Sequence, residues 1–123
     1  MNVTKNSKLI ELYTHGNDLT TLNVSANTAL TTLQVNKNKL TALDISKNTK
    51  LVYVNVSENT LKTLNLKNGN NTNFTTAFMF KNPALLCIQV DNASFATTSS
   101  AFSKDALASY SATCTLGIEN SVF

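Results

Sequence analysis

From Leu19 to Asn59 the chain repeats one pattern four times. Apolar residues fall at i, i+3 and i+5, and asparagine at i+8: Leu19, Leu22, Val24, Asn27; Leu30, Leu33, Val35, Asn38; Leu40, Leu43, Ile45, Asn48; Leu51, Val54, Val56, Asn59. The pattern starts earlier, with Leu9, Leu12, Thr14 and Asn17, where Thr14 is an imperfect core residue. It continues through Leu61, Leu64, Leu66 and Gly69, slips over the insertion at 68–73, resumes with Phe74, Ala77, Met79 and Asn82, and ends at Leu85, Ile88 and Val90. Starts at 9, 19, 30, 40, 51, 61, 74 and 85 alternate steps of 10 and 11 until the insertion, so the larger period is 21 residues. Periods of this length are the mark of stacked coils, none of which buries its apolar edge alone.

Positions i+3 and i+5 share one face of an extended chain, and i+2, i+4 and i+6 face the other way. The units lack a helical period and are rich in Thr, Val and Asn, which disfavours helix. Two short strands per coil, on opposite sides, would pair in parallel with their counterparts in the next coil. The asparagine at i+8 then falls where the chain turns, where its amide can satisfy backbone groups of the bend and bond coil to coil.

The motif L-x-x-L-x-L-x-x-N-x-L at 9–19, 30–40 and 51–61 resembles the leucine-rich-repeat consensus, and the nested 10 + 11 spacing resembles the short class found in Bacteroidota surface proteins. That resemblance implies a right-handed solenoid of about four 21-residue coils, with short parallel strands, little helix and a C-terminal cap. The organisation expected is a polar lead-in over 1–8, the solenoid over 9–92, a cap over 93–114 and a tail over 115–123. In the cap, Phe95, Phe102, Leu107 and Tyr110 are the expected apolar anchors, and Ser103 the expected N-cap of a short helix running to Leu107. The tail resembles the linker before a C-terminal sorting domain of Bacteroidota secreted proteins, so a fragment of a longer exported bacterial protein is expected, secreted or held at the cell surface. In that setting Cys87 and Cys114 are expected to pair and pin the cap, since exported cysteines oxidise; the alternative is two free, half-buried thiols.

Composition narrows the function. Charged residues make up 14% of the chain and the net charge is +3, carried without arginine on scattered lysines. That weighs against nucleic acid, where arginine forks supply the strongest contacts. No apolar run approaches the roughly 18 residues of a membrane span. One histidine, His15, and dispersed serines define no catalytic set. Neither enzyme, cofactor nor metal is expected.

The two outward faces differ. Units starting at 19, 40, 61 and 85 present a uniform polar array. Units starting at 9, 30, 51 and 74 vary and carry aromatics: Glu11, Tyr13, His15, Gln34, Asn36, Tyr53, Asn55, Phe78 and Phe80 are the candidate ligand residues. These units carry the fuller consensus, which by the resemblance forms the concave, ligand-facing sheet. Aromatics beside amides suit protein contact or stacking on sugar rings. A non-catalytic binding module for a protein or glycan follows, monomeric or associating end to end. The alternative is a purely structural spacer in an adhesin; ice binding is a remote third, because its strict ladder of one residue type is incomplete.

Overall fold

The computed structural model describes residues 1–114, which wind into about five turns of a parallel β-solenoid. The tail assigned to 115–123 lies outside the described residues. Sheet A holds β1 (Glu11–Tyr13), β2 (Thr32–Gln34), β4 (Tyr53–Asn55), β6 (Thr76–Phe78) and β8 (Phe102–Ser103), in that order. Sheet B holds β3 (Ala42–Asp44), β5 (Thr63–Asn65), β7 (Cys87–Gln89) and β9 (Ser109–Ser111). All neighbours are parallel, and their register aligns equivalent repeat positions: Leu12, Leu33, Val54, Ala77 and Phe102 in one column, Leu43, Leu64, Ile88 and Tyr110 in the other. These columns face each other across an aliphatic interior completed by Leu30, Val35, Leu40, Ile45, Leu51, Val56, Leu61 and Leu66, all fully buried. The half-coil from Leu19 to Asn27 forms no strand, and Leu19 and Leu22 are only partly buried. Thr14 suits its buried position because its hydroxyl accepts the Asn17 amide at 2.9 Å.

The 10 + 11 alternation has a backbone cause. The half-coils that carry β1, β2, β4 and β6 turn through a left-handed residue at i+7: Gly16, Lys37, Glu58 and Lys81, with φ of 70°, 59°, 56° and 60°; the first adds Asp18 at 55°, and the last runs to eleven residues, with a further turn from Asn82 to Leu85. Such a residue reverses the chain tightly. The eleven-residue half-coils of the other set instead close with two successive four-residue turns, as in Asn27 N–H to Val24 C=O and Leu30 N–H to Asn27 C=O, repeated at Ile45, Asn48 and Leu51.

Each kind of turn has its own column of buried asparagines. At the left-handed turns the amide works in both directions. Asn82 Nδ2 donates to the carbonyls of Val56 and Met79, while its Oδ1 accepts the N–H groups of Asn59 and Leu61. Asn59 and Asn38 repeat this one and two coils earlier, and Asp105 closes the column, its carboxylate accepting from Lys81 and Asn82 N–H. At the eleven-residue turns Asn48 Nδ2 donates to Val24 and Asn27 carbonyls, but Asn27 Oδ1 and Asn48 Oδ1 find no donor among the described residues. Where Gly69 replaces the next asparagine, the inserted segment supplies two: Asn68 reaches back to Asn48 C=O, and Asn71, opening a 3-10 turn over Asn71–Asn73, takes Leu66 C=O.

The lead-in is already part of this scheme. Asn27 Nδ2 donates to Val3 and Asn6 carbonyls, Val3 joins the core, and the turn bonds of Val3, Asn6 and Leu9 copy those of Val24, Asn27 and Leu30. The signal Val3-x-x-Asn6-x-x-Leu9 is present in the sequence, in phase with the repeat, but the leucine pattern alone passes over it.

The segment expected as a cap winds one further coil and adds β8 and β9 to the two sheets. Its helix, α1, spans Ala93–Thr98, capped by Asn92, whose side chain accepts Phe95 N–H at 3.0 Å. This corrects the helix expected after Ser103. Ser103 belongs to β8, and Asp105 is held by the asparagine column. The small Ala77 in the sheet A column is followed by rings: Phe102 stacks on Phe74 at 5.7 Å and meets Phe95 and Tyr110 edge-on. Leu107 is not an anchor; it is 82% exposed. The disulfide expected between Cys87 and Cys114 is present and ties β7 to the chain just after β9.

Two outcomes follow. Replacing the fully buried Asn82 by alanine orphans groups in two successive coils and should cost about 3 kcal/mol or more in urea unfolding, whereas Thr63→Ala on the exposed face should stay within about 0.5 kcal/mol. Replacing both cysteines by serine opens a loop with a sequence separation of 27 and should cost about 3.5 kcal/mol in the chain-entropy view.

Candidate functional site

In every strand the middle residue points inward and its neighbours outward, so each sheet offers a grid of outward side chains. On sheet A the register aligns Glu11, Thr32, Tyr53 and Thr76 in one row and Tyr13, Gln34, Asn55 and Phe78 in the next. The chain beyond the strands adds a third row, His15, Asn36, Ser57 and Phe80, knit by Gly16, Lys37 and Glu58 N–H groups that bond the coil ahead. All nine candidate residues therefore lie on one side of the solenoid.

They are not equally available. Tyr13 is 54% exposed, and Glu11 and His15 are also exposed. Gln34, Asn36, Tyr53, Asn55, Phe78 and Phe80 are half-buried. Phe78 and Phe80 lie against each other at 5.4 Å with tilted rings, so part of their surface serves packing. Asn55 Oδ1 is occupied by the N–H and hydroxyl of Ser57, which leaves its amide nitrogen for a ligand. Asn36 Oδ1 is buried without a donor among the described residues.

The large concavity is on the other side. A groove of about 970 Å³ runs over sheet B, floored by outward residues of β3, β5 and β7 and bounded by Leu22, Lys47, Lys62, Leu86 and the disulfide. The expectation of a concave, ligand-facing sheet rested on units that form sheet A; sequence reasoning set sheet B aside as uniform. Its row chemistry was readable, but not its depth.

Among the described residues no group of three or more His, Cys, Asp or Glu side chains is placed to hold a metal ion, and no helix is long and apolar enough to cross a membrane. One ion pair, Lys39 with Asp18 at 3.6 Å, lies on the exposed surface, where such pairs contribute little.

The strand grid, the consensus spacing and the asparagine turns define a leucine-rich-repeat-like solenoid. Among solved structures, the chain is similar to the functional domain of InlJ from Listeria monocytogenes, described as including a cysteine ladder, with 30% sequence identity and a TM-score of 0.56. The match covers 73% of this chain and 22% of that one, so this chain spans about a fifth of its length. No protein-family model matches the sequence, and no curated protein does. In this chain the only two cysteines bond each other.

Tyr110, inward-facing in β9 beneath Lys104, has its phenol pushed up to about 12 by burial. The folded state holds that proton more tightly than the unfolded chain, whose value is 10.0, so the contribution is complete below pH 10 and disappears as pH rises through 12. Phenolate absorbance should show one tyrosine titrating near pH 12, and Tyr110→Phe should abolish that step and flatten the loss of stability between pH 10 and 12.

Proposed function

We propose that the chain is a non-catalytic recognition module of an exported, surface-associated bacterial protein, and that it engages a protein partner through sheet A. The observation that carries this reading is the gathering of Tyr13, Tyr53, Phe78 and Phe80 on one outward face, among amides and beside Glu11 and His15, with Tyr13 the most open. Tyrosines of this kind supply large, rigid contact area at small entropic cost, and interface hot spots are enriched in them. A leucine-rich-repeat-like scaffold suits such a role because its interior and turns are satisfied internally, leaving the outward positions free to vary. The disulfide supports an oxidising compartment, since such bonds persist mainly outside the cytosol. The 21-residue nesting supports kinship with Bacteroidota surface proteins, and the likeness to InlJ supports a repeat architecture of the same general kind.

A structural spacer is the competing reading, favoured by the mutual packing of Phe78 and Phe80. A screen of immobilised proteins and glycans with the purified chain separates the two. Recognition predicts a protein ligand whose affinity falls about tenfold or more in Tyr13→Ala/Tyr53→Ala, with the melting temperature of the variant nearly unchanged. A spacer yields no ligand. Unfolding of the variant would make the rings packing elements and remove the recognition reading's main support.

A further inference from the structure

The groove over sheet B has a chemistry of its own. Its floor carries two rows set by strand register, Ala42, Thr63 and Cys87 beside Asp44, Asn65 and Gln89. Within the second row Asn65 Oδ1 takes Lys67 N–H, Asp44 Oδ1 takes Ser46 N–H, and Gln89 Nε2 donates to Ala112 C=O. The Asn65 amide nitrogen bonds nothing among the described residues and stays available as a donor. On opposite rims stand Lys47 and Lys62, both exposed and neither in an ion pair among the described residues. Two lysines against the single carboxylate of Asp44 give the lining a net positive charge. Leu22, Leu86, Ala42 and the disulfide make the remaining surface apolar. Among the described residues no aromatic ring lines the groove, so they offer a sugar no platform to stack on.

A ligand complementary to this surface is negatively charged and furnished with aliphatic side chains. We propose that the groove over sheet B binds an extended segment of a partner protein in which acidic residues alternate with aliphatic ones, the carboxylates meeting Lys47 and Lys62 and the aliphatic side chains lying on Leu22, Ala42 and Leu86. This is a second site, on the opposite side of the solenoid from the aromatic face and independent of it.

The test uses an end-capped, fluorescein-labelled peptide alternating glutamate with valine, read by anisotropy at low and physiological salt. The full chain binds it, and binding weakens when glutamine replaces glutamate. Lys47→Glu/Lys62→Glu lowers affinity about tenfold or more, a change of about 1.4 kcal/mol. Lys37→Glu/Lys81→Glu makes the same change in net charge at the far turns, where Glu58 shows that glutamate is accommodated, and leaves affinity nearly intact. Thr63→Trp fills the floor and abolishes binding with the fold retained; if that variant does not fold, the lysine pairs still decide. Tyr13→Ala/Tyr53→Ala binds the peptide like the parent, so failure here and failure of the aromatic face are read separately. Equal losses from the two lysine pairs mean diffuse charge attraction and overturn the proposal. Absence of binding overturns it as well. Binding by a chain ending at Cys114 but not by the full chain assigns the groove to residues 115–123 and overturns it too.

Discussion

Every coil of this solenoid reverses the chain twice, and each reversal presses backbone groups against its neighbours where water does not reach. Buried asparagine amides meet that demand, and the rest of the fold depends on them. A carboxylate at these positions has no donor, a leucine has neither function, and a hydroxyl has one donor; the amide supplies two donors and an acceptor from separate atoms. At the tight turns Asn38, Asn59 and Asn82 use both ends, so each locks a carbonyl and an N–H of the coil before it. At the wider turns Asn27 and Asn48 only donate, and the unmatched Oδ1 atoms are a standing cost. The bonds run backwards along the chain, each coil reading its predecessor. Asp105 ends the tight-turn column where only acceptance is needed, and Asp91 does the same near the insertion by accepting Gly69 and Asn71 N–H.

Because the interior is apolar and most turn groups bond within the chain, outward strand residues carry little of the stability. The two sheets have used that freedom differently. Sheet A varies from coil to coil and gathers rings, while sheet B keeps small and amide side chains in register and supports a groove. One rigid scaffold thus presents two surfaces of different chemistry on opposite sides, and neither constrains the other through the core.

The C-terminal coil shows how far packing tolerates departure from the repeat. Ala77 leaves room in a column of leucine and valine, and Phe74, Phe95, Phe102 and Tyr110 occupy the end of the interior as interlocking rings. The strands of this coil are extended by pairing with β6 and β7 rather than by any local pattern, and the disulfide holds the last of them in place.

The sequence by itself determined the repeat, the inward residues of each strand and the asparagine turns. These follow from spacing two and twenty-one apart, which is arithmetic along the chain. It also placed Tyr13, Tyr53, Phe78 and Phe80 on one face. It did not disclose that Val3 and Asn6 already form a half-coil, that Ser103 joins a strand instead of capping a helix, or that Leu107 stands exposed. Nor did it reveal which sheet lies under a groove. Those were decided by tertiary structure, because irregular segments take their conformation from the coil they stack on, and a concavity is set by the relative height of residues far apart in the chain.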